Sequence, residues 1–221
     1  EEPASQLDST TYASMYIANK SNNVKATPVS KLDPLALSAI EVSHIKKLFV
    51  DRKLMAQAYL KEQSTKINLL SSVADYKFIL IATHGFNQRN IAGLYLHTQN
   101  KRNYSKRKNL AALYTHEIKE LSLNTSLIVL SSCRSGAGKL VRGHATIGLH
   151  QAFMQAGASN IVFSFYSIPD DSTAMLMQVL FAKILEGHTY ATALHHAKLQ
   201  LIDQAAFTAL DWAGFGLLGI D

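Results

Sequence analysis

Two short segments each end in a side chain that could take part in one proton transfer. Leu80-Ile81-Ala82-Thr83-His84-Gly85 delivers an imidazole, and Leu127-Ile128-Val129-Leu130-Ser131-Ser132-Cys133 delivers a thiol. Cys133 is the one cysteine in 221 residues. A free thiol with its pKa near 8.5 is only a few per cent thiolate at neutral pH, and an adjacent imidazole can take the proton or hold the thiolate as an ion pair. The chemistry that follows is attack by sulfur on an acyl carbon, with His84 as general base and then acid. Gly85 lets the backbone turn sharply after the ring. The backbone N–H groups of Gly85 and Cys133 are candidates for an oxyanion hole. A lone cysteine is more often a packing residue. Cys133, however, stands past its apolar run, between a serine pair and the Gly136–Gly138 turn, rather than inside it.

Other chemistries fail on spacing. Ser135-Gly136-Ala137-Gly138-Lys139 is close to a phosphate loop, but that loop requires glycine at Cys133 and Ser or Thr at Leu140. No Gly-x-Ser-x-Gly elbow is present. Nine histidines raise the question of a metal, yet no His-Glu-x-x-His occurs, His195 and His196 are adjacent, and His144 and His150 are six apart. These four are expected at the surface or in packing, since residues sharing a helix face lie three or four apart. No metal and no cofactor is expected.

The elements that must position the pair alternate in type. Strand-like runs occur at 12–18, 54–60, 78–83, 126–131, 160–167 and 212–218, and a small hairpin is expected around Gly93 to Leu96. Helical spacing covers 35–50, 64–73 (with Ser64 or Thr65 as cap), 145–156 (closed by Gly157), 171–185 (stopped by Gly187) and 190–204. Such alternation predicts an α/β fold: a mostly parallel sheet with helices on both faces. Ligands of such folds gather beyond the carboxyl ends of the strands, where His84 and Cys133 both fall.

Hydrophobic residues make up 48% and charged residues 17%, enough for a sizeable core in one domain over 1–221. No apolar run reaches the roughly 18 residues of a membrane span, and no signal-peptide pattern opens the chain. The start at Glu1 without Met points to a piece of a longer protein. A single cysteine suits a reducing compartment, so a cytoplasmic location is expected. The net charge is +6 and the pI about 9.3. Much of the excess sits in residues 101–108, Lys-Arg-Asn-Tyr-Ser-Lys-Arg-Lys. Without an aromatic platform or a recognition helix this reads as a solvated loop, leaving nucleic acid only an indirect role as an activating ligand.

Ala82-Thr83-His84-Gly85-Phe86, Leu130-Ser131-Ser132-Cys133-x-Ser135-Gly136-x-Gly138, Gly148-Leu149 with Ala152-Phe153 and Ala156-Gly157-Ala158, Asp170-Asp171-Ser172-Thr173-Ala174 and Trp212-Ala213-Gly214-Phe215 appear in an order that resembles a CHAT domain. These are caspase-like cysteine peptidase domains, often attached to tetratricopeptide repeats and related to separases and more distantly to caspases. The resemblance covers residues 12–220. It implies the caspase–haemoglobinase fold, an α/β three-layer sandwich, and peptide-bond hydrolysis by a dyad of Cys133 and His84. It implies a protein or peptide substrate, and regulation by a partner or an upstream tetratricopeptide-repeat domain. It implies that the strand around 161–167 pairs with extended substrate, bringing Ser164, Phe165 and Tyr166 to the substrate. It also implies that Asp170 or Asp171 reads a basic residue before the scissile bond; Asp171 is expected instead to cap the helix that follows, and for Asp170 a structural role weighs evenly with the specificity one. The sequence departs from the family pattern at His144, more often an acid, and at Tyr166, more often Trp. The alternative is a caspase-like interaction module that turns nothing over.

Overall fold

The computed structural model describes residues 12–17, 38–88, 91–97, 110–131, 140–141, 144–145 and 148–220. In chain order the first half comprises β1 (Tyr12–Ile17), α1 (Ser38–Asp51), β2 (Met55–Tyr59), α2 (Lys66–Ser72), β3 (Phe78–Ala82), β4 (Gly85–Gln88), β5 (Ile91–His97), β6 (Leu110–Tyr114) and α3 (Thr115–Lys119). The second half comprises β7 (Leu127–Leu130), β8 (Leu140–Val141), β9 (His144–Ala145), α4 (Leu149–Gln155), β10 (Asn160–Ser164), α5 (Asp170–Leu185), α6 (Tyr190–Ile202), α7 (Ala209–Trp212) and β11 (Phe215–Gly219).

A six-stranded sheet in the order β11-β10-β7-β3-β1-β2 forms the centre, parallel throughout except for β11. Its two central strands, β3 and β7, are apolar at every position because both faces are covered. Phe78, Leu80, Leu127, Val129 and Val162 point to one core, shared with Val42, Ile45 and Phe49 of α1 and with apolar residues of α5 and α6. The alternate residues Ile79, Ile81, Ile128, Leu130, Ile161 and Phe163 point to a second core with α2, α3, α4 and the small sheet β4-β5-β6. The two-residue period of a strand thus divides one sequence between two helical layers, giving the expected three-layer sandwich.

Local signals explain most element ends. Thr65 caps α2 by accepting from the Asn68 N–H. Gly157, at φ 110°, follows α4 in the left-handed region that closes a helix. Three boundaries differ from the sequence reading. The helix expected from 145 begins only at Leu149, because His144–Ala145 pairs with Leu140–Val141 as a two-residue hairpin. The strand expected from 160 to 167 ends at Ser164. Trp212 closes the short helix α7, and the last strand starts at Phe215. The cause is a capping box: Thr208 and Asp211 satisfy each other's backbone at the start of α7.

Candidate functional site

β3 and β7 are hydrogen-bonded parallel neighbours, with registered pairs from Phe78↔Leu127 to Ile81↔Leu130. Parallel pairing sends both chains out at the same edge. In sequence, His84 and Cys133 each stand three residues past the last registered pair. His84 is described and half-buried. Cys133 lies outside the described residues, as do Arg134 to Lys139 and the basic stretch 101–108.

The backbone at His84 is held by β5. The Thr83 hydroxyl, buried, donates to the Tyr95 carbonyl. The Tyr95 N–H donates to the His84 carbonyl at 2.9 Å. That bond makes Gly85 and Leu94 a non-hydrogen-bonded pair of the antiparallel ladder, so the Gly85 N–H points away from β5. The turn therefore fixes the imidazole-bearing residue while leaving the next backbone donor unused by the ladder.

On the other side of the site stands α5. Asp170 is its first residue and Pro169 occupies the cap position. Proline with φ −57° is already set for helix entry, which displaces the expected cap at Asp171. Asp171 instead accepts from the Ser172 N–H at 2.9 Å, and the Ser172 hydroxyl donates to the Pro169 carbonyl at 3.1 Å. Partial burial lifts the Asp170 carboxyl above its ordinary range, and the charge of Asp171 adds to this; His84 acts in the opposite direction. An interaction with His84 strong enough to oppose burial makes Asp170 and the imidazole electrostatic neighbours.

A residue the sequence reading missed lies beneath them. Glu41, near the start of α1, is only 2% exposed. It shares a side-chain hydrogen bond with Ser131, the residue directly after β7, and faces the charge of Asp170. Its Oε1 has no hydrogen-bond partner among the described residues. Burial pushes its pKa up to about 8, with Asp170 adding to the rise and the Ser131 bond resisting it. Among the described residues Glu41, Ser131, Asp170 and His84 thus form one connected group at the carboxyl edge of the sheet.

The residues expected to meet substrate are arranged differently from the sequence reading. β10 pairs with β7 through Ile161 and Val162 on one side and with β11 from Asn160 to Ser164 on the other, so its outer edge is taken by β11 and not left for a substrate strand. Ser164 is buried opposite Phe215. The Phe165 N–H donates to the Gly214 carbonyl at 2.8 Å. Only the stretch from Tyr166 onward lies past the ladder. Phe165 is 54% exposed. The Tyr166 ring lies against Gly214, where an added Cβ would come within 2.6 Å of it. The glycine of Trp212-Ala213-Gly214-Phe215 is therefore a close-approach residue that seats the segment after β10.

The other histidines take other roles. His150 stacks on Phe163 with ring centroids 4.5 Å apart, and His195 lies exposed on α6. The side chain of His144 lies outside the described residues. Among the described residues, no group of three or more His, Cys, Asp or Glu side chains is placed to hold a metal ion. Nor is any described helix long and apolar enough to cross a membrane.

A mostly parallel sheet between two helical layers, with His84 at its carboxyl edge, defines the class of caspase-like folds. Solved structures agree. A *Saccharomyces cerevisiae* separase–securin complex superposes with a TM-score of 0.60 and 16% identity over 96% of this chain and 12% of that one. The Arg-specific cysteine proteinase gingipain R superposes with a TM-score of 0.57 and 10% identity over 95% of this chain and 46% of that one. The family model of the CHAT domain matches residues 2–220, and the chain belongs to that family. Tetratricopeptide repeat protein 28 is similar in sequence, 30% identical over 106 residues in *Homo sapiens* and 28% over 106 residues in *Mus musculus*. Each match covers 48% of this chain and 4% of the relative, so the chain spans a small part of those proteins.

Proposed function

We propose that this CHAT domain is a cysteine endopeptidase with Cys133 as nucleophile and His84 as its base and acid. The observation that carries the reading is the parallel β3–β7 pair, which directs both chain segments to one edge. In this mechanism the Cys133 sulfur attacks the scissile carbonyl and its proton passes to His84. The Gly85 N–H, turned away from β5, and the Cys133 N–H donate to the oxyanion. His84 then protonates the departing amine, and water hydrolyses the thioester with His84 again as base. No step needs a cofactor.

Asp170 supplies the charge for a basic side chain before the scissile bond. Its interaction with His84 sets it near the imidazole, and burial keeps the Glu41 carboxyl protonated up to about pH 8. Phe165 and Tyr166 flank the entering peptide, with backbone pairing confined to the stretch past the ladder. Regulation comes from a partner or from tetratricopeptide repeats, the feature that names the similar curated proteins.

A peptide acyloxymethyl ketone ending in Arg tests the reading. Labelling of Cys133, reduced at least about tenfold by His84→Ala, is expected. Absence of labelling with every activating partner tried favours the silent interaction module. For Asp170→Ala, a peptide-library digest should show the preference for Arg or Lys falling about 30-fold, the scale of removing one partner of a desolvated charge pair. An unchanged preference removes Asp170 from that role.

A further inference from the structure

We infer that the outer edge of β11 is a docking site for an extended strand of another protein, one that carries a large apolar residue and, three positions further on, an acid. β11 ends the central sheet, and among the described residues no strand pairs with its outer side. The ladder fixes which backbone groups face outward. The Phe165 N–H donates to the Gly214 carbonyl at 2.8 Å, which makes Phe163↔Gly216 and Ile161↔Leu218 the hydrogen-bonded pairs. The N–H and C=O groups of Phe215, Leu217 and Gly219 therefore point away from β10. Lys198 agrees with this phase: from α6 its ammonium donates to the outward Phe215 carbonyl at 2.6 Å. Leu217 and Gly219 are left as a short open edge of the kind that takes a further strand.

The surroundings of that edge define what the strand carries. A cavity of about 700 Å³ opens between α4 and the end of β11, lined by Gln151, Met154, Gln155, Ala158, Leu218 and Ile220 among others, and no lining side chain is charged. Leu218 is 40% exposed and Ile220 84% exposed, so apolar surface is already turned to the opening. Leu218 pairs with Ile161, which points to the α4 core. A strand residue opposite Leu218 projects to the same side, toward the cavity, where a large uncharged aliphatic side chain fits. At the other end stands Lys198. It is half-buried, and among the described residues no carboxylate lies within ion-pair distance of it. Burial draws its pKa below the ordinary lysine range. An ammonium partly withdrawn from water is complemented by a carboxylate. When a strand runs antiparallel to β11 with its aliphatic residue opposite Leu218, its third following residue falls opposite Phe215, at the ammonium. Leu218 and Asp221 of this chain have the same spacing, but two copies each carrying a net charge of +6 repel, whereas an acidic partner is attracted.

The probe is the peptide acetyl-Thr-Val-Leu-Thr-Val-Asp-Thr-amide, titrated into the whole chain by calorimetry beside the same peptide with Asn in place of Asp. One-to-one binding of the Asp peptide is expected, with the Asn peptide about tenfold weaker, the scale of a hydrogen bond to a charged group. In Lys198→Ala the two peptides should bind equally, at the level of the Asn peptide. Leu217→Pro removes an outward N–H and leaves the ladder to β10 complete, since proline is tolerated on an edge whose N–H faces solvent. That variant should weaken the Asp peptide at least about tenfold while its thermal melt stays close to wild type. Should it fail to fold, the Lys198→Ala comparison decides alone. No binding up to about 1 mM peptide, equal affinity of the two peptides for wild type, or full binding by a folded Leu217→Pro chain each overturns the inference. Sedimentation of wild type as a dimer that Leu217→Pro converts to monomer would give the edge to a second copy and overturn it as well.

Discussion

Cys133→Ala is expected to lower kcat/KM for peptide hydrolysis by about ten-thousandfold or more, the scale on which removing a covalent nucleophile acts. Alanine removes only the sulfur and keeps the backbone N–H groups proposed to meet the oxyanion, so binding should persist while the chemical step is lost. The comparison is a kcat–KM split: KM within about threefold of wild type and kcat at background. His84→Ala should lose about a thousandfold, less than the thiol variant, because a thiol retains some thiolate without its base. The pH profile separates the two. Wild type should already be active below pH 7, where the imidazolium holds the thiolate, whereas the His84 variant should gain rate only as the free thiol ionises toward pH 8.5. Hydrolysis in Cys133→Ala at wild-type rate would show that another group attacks the peptide.

The parts of this site that belong to single strands were legible in sequence. The runs at 78–82 and 127–130 are apolar at every position, the mark of strands covered on both faces. Each ends in the side chain that chemistry would use. What depends on the return of a distant segment was not legible. β10 reads as a strand, but nothing within it tells that β11 folds back to occupy its outer edge, so substrate pairing was expected along residues that are already paired. Glu41 was hidden for the same reason. An acid in the first turn of an amphipathic helix reads as a dipole-complementing surface charge. Its burial is decided by the packing of α1 against α5 and by Ser131 at the end of β7. The capping box at Thr208 and Asp211 was the one missed feature with a local signal, since a hydroxyl followed three residues later by an acid marks a helix start.

Glu41→Gln is expected to stabilise the fold above neutral pH, and the sign follows from where the carboxyl holds its proton. In the unfolded chain it titrates at about 4.5; in the fold, at about 8. Below 4.5 both states are protonated and the group contributes no pH dependence. Between 4.5 and 8 the unfolded state releases the proton and the folded state keeps it, so stability falls as pH rises. At about 1.4 kcal/mol for each pH unit the loss reaches roughly 4 kcal/mol by pH 8, where both forms become ionised and the penalty levels off. Glutamine has the same shape and no such titration. The variant should match wild type within about 1 kcal/mol at pH 5 and exceed it by roughly 4 kcal/mol at pH 8, about 10 °C in Tm for a chain of this size. Thermal melts of both proteins from pH 5 to pH 9 would show curves that diverge with rising pH. Parallel curves would place the carboxyl in contact with water or with a cation. Divergence has a consequence for the site. A residue that weakens its own fold at neutral pH, where a glutamine would not, is carried at a cost, and such costs concentrate where activity needs them. Glu41 acts on Ser131 after β7 and on Asp170 at the start of α5, so the cost falls at the carboxyl edge of the sheet.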